Sequence, residues 1–404
     1  MSFKILHCIT TVNPIGGGPI EGLKQLAKVN KSHGHTVDVV SMDDPNSPWV
    51  GECPVTCHAM GPSFSGYHYT PRLVPWLKAN AHRYDAVIVN GLWQYGSLAV
   101  WRALKDQPTP YFVFTHGMLD PWFKKRYPLK HLKKWLYWPW AEYRVLRDAA
   151  AVLFTCEEER RLARRSFWLY KCDEFVVNYG IGAPTGDPIQ QRRLFLERFP
   201  FLDGKRILLF LGRVHEKKGG DLVIEGLARL FASDPDKSAD IQLVIAGPDD
   251  HAYALQLKQL VEQHGLQERV TWTGMLQGDW KWGAFHSADA FILTSHQENF
   301  GIAPVEALAC GVPVLISNQV NIWREIKQAD ACFVDMDDID GTVRMLESWL
   351  NVDQQIWQAM KQNAVRCFNH HFEAEKTAES FIRAMEVYAL RPDHKKPVPL
   401  PQQA

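Results

Sequence analysis

The sequence predicts an α/β protein made of two Rossmann-like halves, and three observations carry that prediction. A chain of 404 residues is longer than one hydrophobic core serves, since chains beyond roughly 250–300 residues divide into domains. Short apolar, β-branched runs alternate with loops and helical stretches along its whole length, the pattern of buried parallel strands joined by helices. The pattern then stops at a Gly- and Pro-rich stretch, Tyr179 to Pro188, and restarts at Arg206. Gly180, Gly182, Pro184, Gly186 and Pro188 make that stretch the best linker. One domain is therefore expected over 1–182 and a second over 183–370, followed by a helix within 371–390 and a disordered tail over 391–404.

Composition narrows the function classes. Lys plus Arg equal Asp plus Glu at 45 each, so the net charge is zero and nothing favours nucleic acid as a partner. Eight cysteines in so long a chain make no disulfide scaffold and read as reduced thiols. Cys53, Cys57 and His58 lie close together but have no second ligand pair at zinc spacing, so no metal is expected. The opening M-S-F-K-I-L-H-C-I-T-T-V is short, broken by His7, and reads as a buried first strand rather than a leader. No run approaches the roughly 20 apolar residues that cross a bilayer. A cytoplasmic location follows as the expectation.

Phe3 to Ile9 is the first predicted strand. It runs into a Gly-rich turn with Gly16, Gly17 and Gly18, then a helix from about Ile20 to Ser32. Such glycines let backbone N–H groups approach a phosphate or a sugar ring. The turn does not match G-x-G-x-x-G, and no acidic residue stands where a dinucleotide ribose would be held, which argues against a dehydrogenase. Strands follow at Thr36 to Val40, Asp85 to Val89 and Tyr111 to Thr115. Ligands bind at the carboxyl ends of parallel strands, so Asn90, Trp93 and Gln94 after one strand, and His116 after another, are candidate site residues. Pro121 to Trp140 carries Lys124, Lys125, Arg126, Lys130, Lys133 and Lys134 without an acid, interleaved with seven aromatic residues. That composition suits a membrane surface, where cations meet anionic headgroups and rings sit at the boundary. Stacking of bases on the rings, or a helix that packs its rings inward and solvates its lysines, are the alternatives. Ala149 to Phe154 and Phe175 to Asn178 close this half as strands.

The second half repeats the pattern. Arg206 to Leu211 is a strand followed by G-R-V-H-E-K-K-G-G-D. Gly212 frees the backbone, and Arg213 and Lys218 can place two cations on a diphosphate, with Lys217 as a substitute. Strands at Ile241 to Ala246 and Val270 to Thr273 follow. Next comes the stretch around which the chain is organised, from Phe291 to Ser317. An apolar strand, Ala290 to Leu293, leads into a polar turn, a short helix and a second strand, Val312 to Ile316. Pro304 suits the helix start and Gly311 its end. The N–H groups of Phe300, Gly301 and Ile302 form a candidate anion cradle, with Asn299 beside them. Glu298 and Glu306 bracket it as hydroxyl-binding carboxylates. A closing strand near Ala331 to Val334 and a helix over about Ala374 to Tyr388 complete the pattern.

The string E-N-F-G-I-A-P-V-E-A-L-A-C-G-V-P-V, with its E-x7-E spacing, together with G-R-x-x-x-K-K-G, resembles the signatures of retaining glycosyltransferase family 4, the glycosyl transferases group 1. The likeness covers most of the chain and is strongest from Arg206 to Ile326. It implies the GT-B fold, two Rossmann-like domains facing across a cleft, with the last helix crossing back to the first domain. It implies transfer of a sugar from a nucleotide-diphosphate donor to a saccharide hydroxyl with retained configuration. Arg213 and Lys218 would bind the diphosphate, Glu298 the donor sugar, Glu306 the ribose, and His116 would reach the reacting centre. Gly16 to Gly18 would line the same site. The first domain would bind the acceptor, with Asn90, Trp93 and Gln94 as the acceptor-side candidates, and the second the nucleotide sugar. No D-x-D stands in these motifs, so neither metal nor cofactor is expected. The tryptophan count and the 121–140 segment point to a lipid-linked acceptor in polysaccharide assembly, at the inner face of a membrane. UDP, GDP and ADP donors are equally compatible with the residues. A nucleotide-sugar epimerase of the same fold and a non-catalytic sugar-binding subunit are the rival readings.

Overall fold

In a computed structural model the chain is described over residues 2–14, 18–177 and 179–388. Gly16, Gly17 and the 391–404 tail lie outside the described residues. The chain divides into two units, one formed by 1–180 together with the segment from Ala374 onward, the other by 181–373.

The first unit holds a parallel seven-stranded sheet: β1 (Lys4–Ile9), β2 (Thr36–Ser41), β3 (Thr56–Ala59), β4 (Ala86–Asn90), β5 (Tyr111–Phe114), β6 (Ala151–Phe154) and β7 (Glu174–Val176). Its spatial order is β3-β2-β1-β4-β5-β6-β7. The central strands are apolar on both faces because both are covered, as parallel sheets require. One face packs Leu6, Val40, Val87, Val113 and Val152 against the helices that follow the strands. The other packs Ile5, Ile88, Phe112 and Phe114 against the helix Ala374–Tyr388. That helix buries Ala374, Thr377, Ala378, Phe381, Ala384, Met385 and Tyr388, a stripe at helical spacing that fixes its docked face. Each large apolar side chain in it is worth about 1.5–3 kcal/mol of burial.

The second unit holds a parallel six-stranded sheet: β8 (Arg206–Leu211), β9 (Ile241–Ala246), β10 (Val270–Gly274), β11 (Ala290–Leu293), β12 (Val314–Ser317) and β13 (Cys332–Asp335). Its order is β10-β9-β8-β11-β12-β13. In each sheet the chain starts in the middle, winds one way, then reverses. The reversal falls between β1 and β4 in the first and between β8 and β11 in the second, and ligands bind outside such switch points.

Two differences from the sequence reading have physical causes. β3 was not anticipated, because T-C-H-A is a short, half-buried edge strand without an apolar run. The 121–140 segment is two helices, Trp122–Arg126 and Pro128–Tyr137, since Pro128 bars a continuous helix and opens a new one instead. Its rings are not all packed inward. Trp138 is buried and stacks on Phe167 with centroids 4.2 Å apart, whereas Leu129, Leu132, Leu136, Trp135 and Trp140 are exposed. No helix among the described residues is long and apolar enough to cross a membrane.

Candidate active site

The switch point of the second sheet gathers most of the predicted residues. Gly212, just past β8, has φ of +147°. A Cβ on Gly247, just past β9, would lie 1.9 Å from the Gly212 carbonyl oxygen, so only glycine lets these strand ends meet. Gly219 has φ of +67°, and a Cβ there would lie 2.2 Å from the carbonyl oxygen of Thr294, just past β11. The Thr294 hydroxyl donates to the Gly219 carbonyl at 2.7 Å, and the His296 N–H donates to the Lys217 carbonyl at 2.9 Å. The loops after β8 and β11 are thereby stitched together.

This stitching brings Lys218 to Glu298. The Lys218 ammonium donates to Glu298 Oε2, and both side chains are about one-fifth exposed, at 19% and 18%. Glu298 is fixed by its backbone, donating to the Gln319 carbonyl at 2.9 Å and accepting from the Asn321 N–H at 3.0 Å. Asn299 is joined to Asn321 at 3.4 Å. Arg213, on the β8 loop, is exposed, and no carboxylate among the described residues forms an ion pair with it. Gly301, at φ of +80°, begins the helix Ile302–Ala309. Phe300 is buried, with its ring edge-on to Phe372 at 5.8 Å. That places the tip of the helix one residue past a fixed hydrophobic anchor.

Glu306 lies one helical turn deeper, its side chain 12% exposed. Burial raises its pKa, opposed by Lys281, whose ammonium donates to Oε1 at 2.8 Å. Lys281 has no signature in the sequence. It stands in the helix Gly278–Ser287, and only the fold reveals it as the partner of Glu306. The second unit therefore carries two Lys–Glu pairs and an exposed arginine, a set able to receive phosphate charge and to release carboxylates to hydroxyls.

In the first unit, His116 and Gly117 follow β5 with φ of +48° and +73°. The His116 ring meets Asn90 at 3.3 Å, and Asn90 in turn meets His7 at 3.2 Å. Burial lowers the pKa of His116 to about 4, with Glu159 opposing, and burial lowers that of His7 to about 3. Both rings are neutral near pH 7, so His116 offers a hydrogen bond and not a charge. The turn that presents it is braced by Glu159, which is buried. Its Oε1 accepts from the Thr115 hydroxyl and the Gly117 N–H, both at 2.6 Å. Its Oε2 accepts from the Thr155 N–H and hydroxyl, both at 2.7 Å. Nothing in its own stretch, T-C-E-E-E-R-R, marks Glu159 for that part.

The loop after β4 is braced in the same way. Trp93 has φ of +70°, its N–H donates to buried Glu142 at 2.6 Å, and its indole donates to the Met118 carbonyl at 3.2 Å. Ser97 also donates to Glu142 at 3.0 Å. Burial raises the Glu142 pKa to about 7. Gln94 accepts from the Thr10 hydroxyl. Asn90, Trp93 and Gln94 thus sit together at the switch point of the first sheet, engaged with neighbouring side chains and backbone. Gly18 starts the helix Gly18–Ser32.

Comparison with known proteins follows the same two-part division. A family model described as Glycosyl transferases group 1 matches residues 192–367. A second, described as Glycosyl transferase 4-like domain, matches residues 17–173. Mannosylfructose-phosphate synthase of Agrobacterium fabrum is 32% identical over 139 residues, 33% of this chain and 30% of that protein. The lipopolysaccharide core biosynthesis mannosyltransferase LpsB of Rhizobium meliloti is 26% identical over 215 residues, 52% of this chain and 60% of that protein. The matched stretches thus span less than two thirds of these relatives' own lengths. Among solved structures, sucrose-phosphate synthase from Thermosynechococcus elongatus aligns with a TM-score of 0.73 at 18% identity, covering 95% of this chain and 98% of that one. Anabaena Alr3699/HepE in complex with UDP-glucose aligns with a TM-score of 0.73 at 16% identity, covering 95% and 100%. These likenesses show the fold, two parallel-sheet Rossmann-like domains of the GT-B kind.

Proposed function

The chain belongs to the glycosyl transferases group 1 family, and on that premise we propose that it moves a sugar from a nucleotide-diphosphate donor to a saccharide hydroxyl, with anomeric configuration retained. The observation that supports this most directly is the Lys218–Glu298 pair at the switch point of the second sheet, on the same loop as exposed Arg213. Breaking the anomeric bond puts negative charge on the departing phosphate and positive charge on the sugar. In this reading Lys218 and Arg213 take the diphosphate, aided by the N–H groups at the start of the helix Ile302–Ala309. Lys218 then leaves Glu298, whose carboxylate turns to the sugar hydroxyls. Glu306 holds the ribose while keeping Lys281. His116, neutral, donates or accepts a hydrogen bond at the reacting sugar. Two solved neighbours with UDP and UDP-glucose bound make UDP-sugars the first donors to try.

The test is a thermal-shift screen of UDP-, GDP- and ADP-sugars, followed by a transfer assay. A donor at a hundred times its dissociation constant should stabilise the chain by roughly 2.7 kcal/mol. If no nucleotide sugar raises the melting temperature, the reading fails. Transfer to an added acceptor, in place of interconversion of the free donor, separates it from an epimerase. Slow donor hydrolysis separates it from a non-catalytic subunit. Because Lys218 and Arg213 supply the positive charge a divalent ion would otherwise bring, EDTA is expected to leave turnover unchanged. Loss in EDTA, restored by magnesium, would overturn that part.

A lipid-linked acceptor in polysaccharide assembly is favoured by the surface of the helix Pro128–Tyr137. Leu129, Leu132 and Leu136 are 79%, 55% and 60% exposed, at spacings of three and four that align them on one side of the helix. Lysines at 124, 125, 130 and 133 accompany them. Apolar side chains that enter the headgroup boundary, ringed by cations, suit an anionic membrane face. The chain is expected to float with vesicles containing phosphatidylglycerol and to remain at the bottom of the gradient with phosphatidylcholine alone. Leu132→Glu with Leu136→Glu should abolish flotation, and flotation unchanged by those substitutions would exclude this helix as the contact.

A further inference from the structure

Three polar side chains form one row across neighbouring strands of the first sheet: His7 within β1, Asn90 at the end of β4 and His116 just past β5. Packing fixes the planes of both imidazoles. The His7 ring stacks on Phe381 of the docked helix Ala374–Tyr388 with centroids 6.1 Å apart. Phe381 stacks on Phe114 at 6.3 Å, and Phe114 stacks on His116 at 5.4 Å. Tyr179 meets the His116 ring edge-on at 6.5 Å. Neither imidazole can turn over without displacing a packed ring.

The amide between the two rings can point only one way. Asn90 Nδ2 lies 3.4 Å from the Cys8 carbonyl oxygen, 3.4 Å from the Ile88 carbonyl oxygen and 3.2 Å from His7 Nδ1. A carbonyl oxygen only accepts, so the atom that faces two of them must be the NH₂ group, its two hydrogens shared among three acceptors. The reverse placement would set three oxygens against one another. His7 Nδ1 is thus bare, and His7 carries its proton on Nε2. The Asn90 Oδ1 is left to meet His116 Nε2, 3.3 Å away. An amide oxygen cannot donate, so that nitrogen bears a hydrogen. Burial lowers the pKa of His7 to about 3 and that of His116 to about 4, and a neutral imidazole holds a single N–H. His116 Nδ1 is therefore a bare acceptor. It has no hydrogen-bond partner among the described residues.

We propose that Asn90 is a positioning residue that holds His116 as its Nε2-protonated tautomer, so that Nδ1 receives a hydrogen bond from a ligand hydroxyl and cannot donate one. The state of the ring needs no ligand, whereas taking that hydroxyl as one of the transferred sugar rests on the sugar-transfer reading above. Both ends of the Asn90 amide are engaged inside the chain, so in this assignment it acts through His116 and not on the acceptor. The assignment also gives selectivity a direction. A group that meets Nδ1 must bring its own hydrogen, as a hydroxyl does. An ether oxygen or a fluorine in that place would set one lone pair against another.

The experiment is long-range proton–nitrogen correlation NMR near pH 7 on the full chain labelled with heavy-nitrogen histidine, His116 being identified by the signals lost in His116→Asn. His116 should show a protonated Nε2 and a bare Nδ1, the bare nitrogen resonating well downfield of the other. Asn90→Leu should move both signals toward those of a free histidine, whose proton is shared between the two nitrogens. A merely structural role for Asn90 would lower the melting temperature and leave those signals in place. Turnover of UDP-, GDP- and ADP-glucose then reads the direction of the bond at Nδ1. An Asn side chain sets its amide near the place of Nδ1, and a Gln side chain sets it near that of Nε2. His116→Asn should keep kcat/KM within about tenfold of the parent, and His116→Gln should fall about tenfold further. A protonated Nδ1, a charged ring near pH 7, or a His116→Gln chain as active as His116→Asn would each overturn the proposal, as would signals unmoved by Asn90→Leu. Should Asn90→Leu not fold, the parental spectrum and the two His116 variants still decide. The expected signals with none of the three sugars turned over would count against the transferase reading alone.

Discussion

Turnover of an Arg213→Ala chain is expected to fall by about a hundredfold or more, with Lys218→Ala as severe. Both losses should lie in kcat, with the acceptor KM little changed. A cation that strengthens its contact as charge develops on the leaving phosphate acts in the transition state more than in the bound donor. The two replacements are not equivalent. Arg213 is exposed and pairs with no described carboxylate, so its removal disturbs little in the resting chain. Lys218 is mostly enclosed with Glu298, and its loss leaves a carboxylate without its partner. Lys218→Ala should therefore also lower the melting temperature, as Arg213→Ala should not. The double replacement should cost less than the sum if, as proposed, both side chains serve one diphosphate. Steady-state kinetics with a saturating donor decide it. Near-parental turnover in either variant would remove that residue from the site.

The second large effect is on stability and concerns Glu142. It titrates at about 7 in the folded chain, against an ordinary 4.5. The folded chain thus binds more protons than the unfolded one between those values. The stability this group contributes is complete below about pH 4.5 and is lost as pH rises through 7. The difference amounts to about 3 kcal/mol by pH 8 and above. Glu142→Gln keeps an oxygen to accept from Trp93 and Ser97 but cannot ionise. It should match the parent near pH 5 and be the more stable chain at pH 8. Comparing the two chains isolates this group from His7 and His116. Those histidines, with folded pKa values lowered to about 3 and 4, lose their stabilising contribution as pH falls below 6.5. Urea melts at pH 5, 6.5 and 8 provide the measurement. Parallel curves would show that Glu142 stays charged throughout.

Much of the fold was legible because strands buried on both faces announce themselves as apolar runs. Arg206–Leu211 and Ile241–Ala246 have the limits the sequence suggested. β3 was not legible, since an edge strand needs no continuous apolar surface. At the site, the loop residues Arg213, Lys218 and Glu298 stood out because the strings G-R-x-x-x-K-K-G and E-x7-E resemble a family's signatures, not because an arginine or a lysine on a loop is unusual. Their partners did not. Nothing local marks Lys281 as the counterion of Glu306, because the two belong to different helices and meet only through the fold. Glu142 and Glu159 were hidden for a related reason. Each lies in an ordinary-looking charged stretch, and its importance comes from backbone N–H groups presented by other strand exits. Sequence motifs report what a residue can touch along its own chain segment, whereas buried counterions and braces are products of packing.

In the proposed reaction, the ion pair between Lys218 and Glu298 would also shape the end of the catalytic cycle. A spent nucleoside diphosphate can still draw the ammonium away, but it brings no hexose to occupy the carboxylate left behind. That acid would then sit exposed to little water and without a counterpart, a penalty the intact donor does not incur. The by-product should on this account bind less tightly than the donor it came from, and the returning lysine would help to expel it, so that the resting contact doubles as a spring for clearing the site.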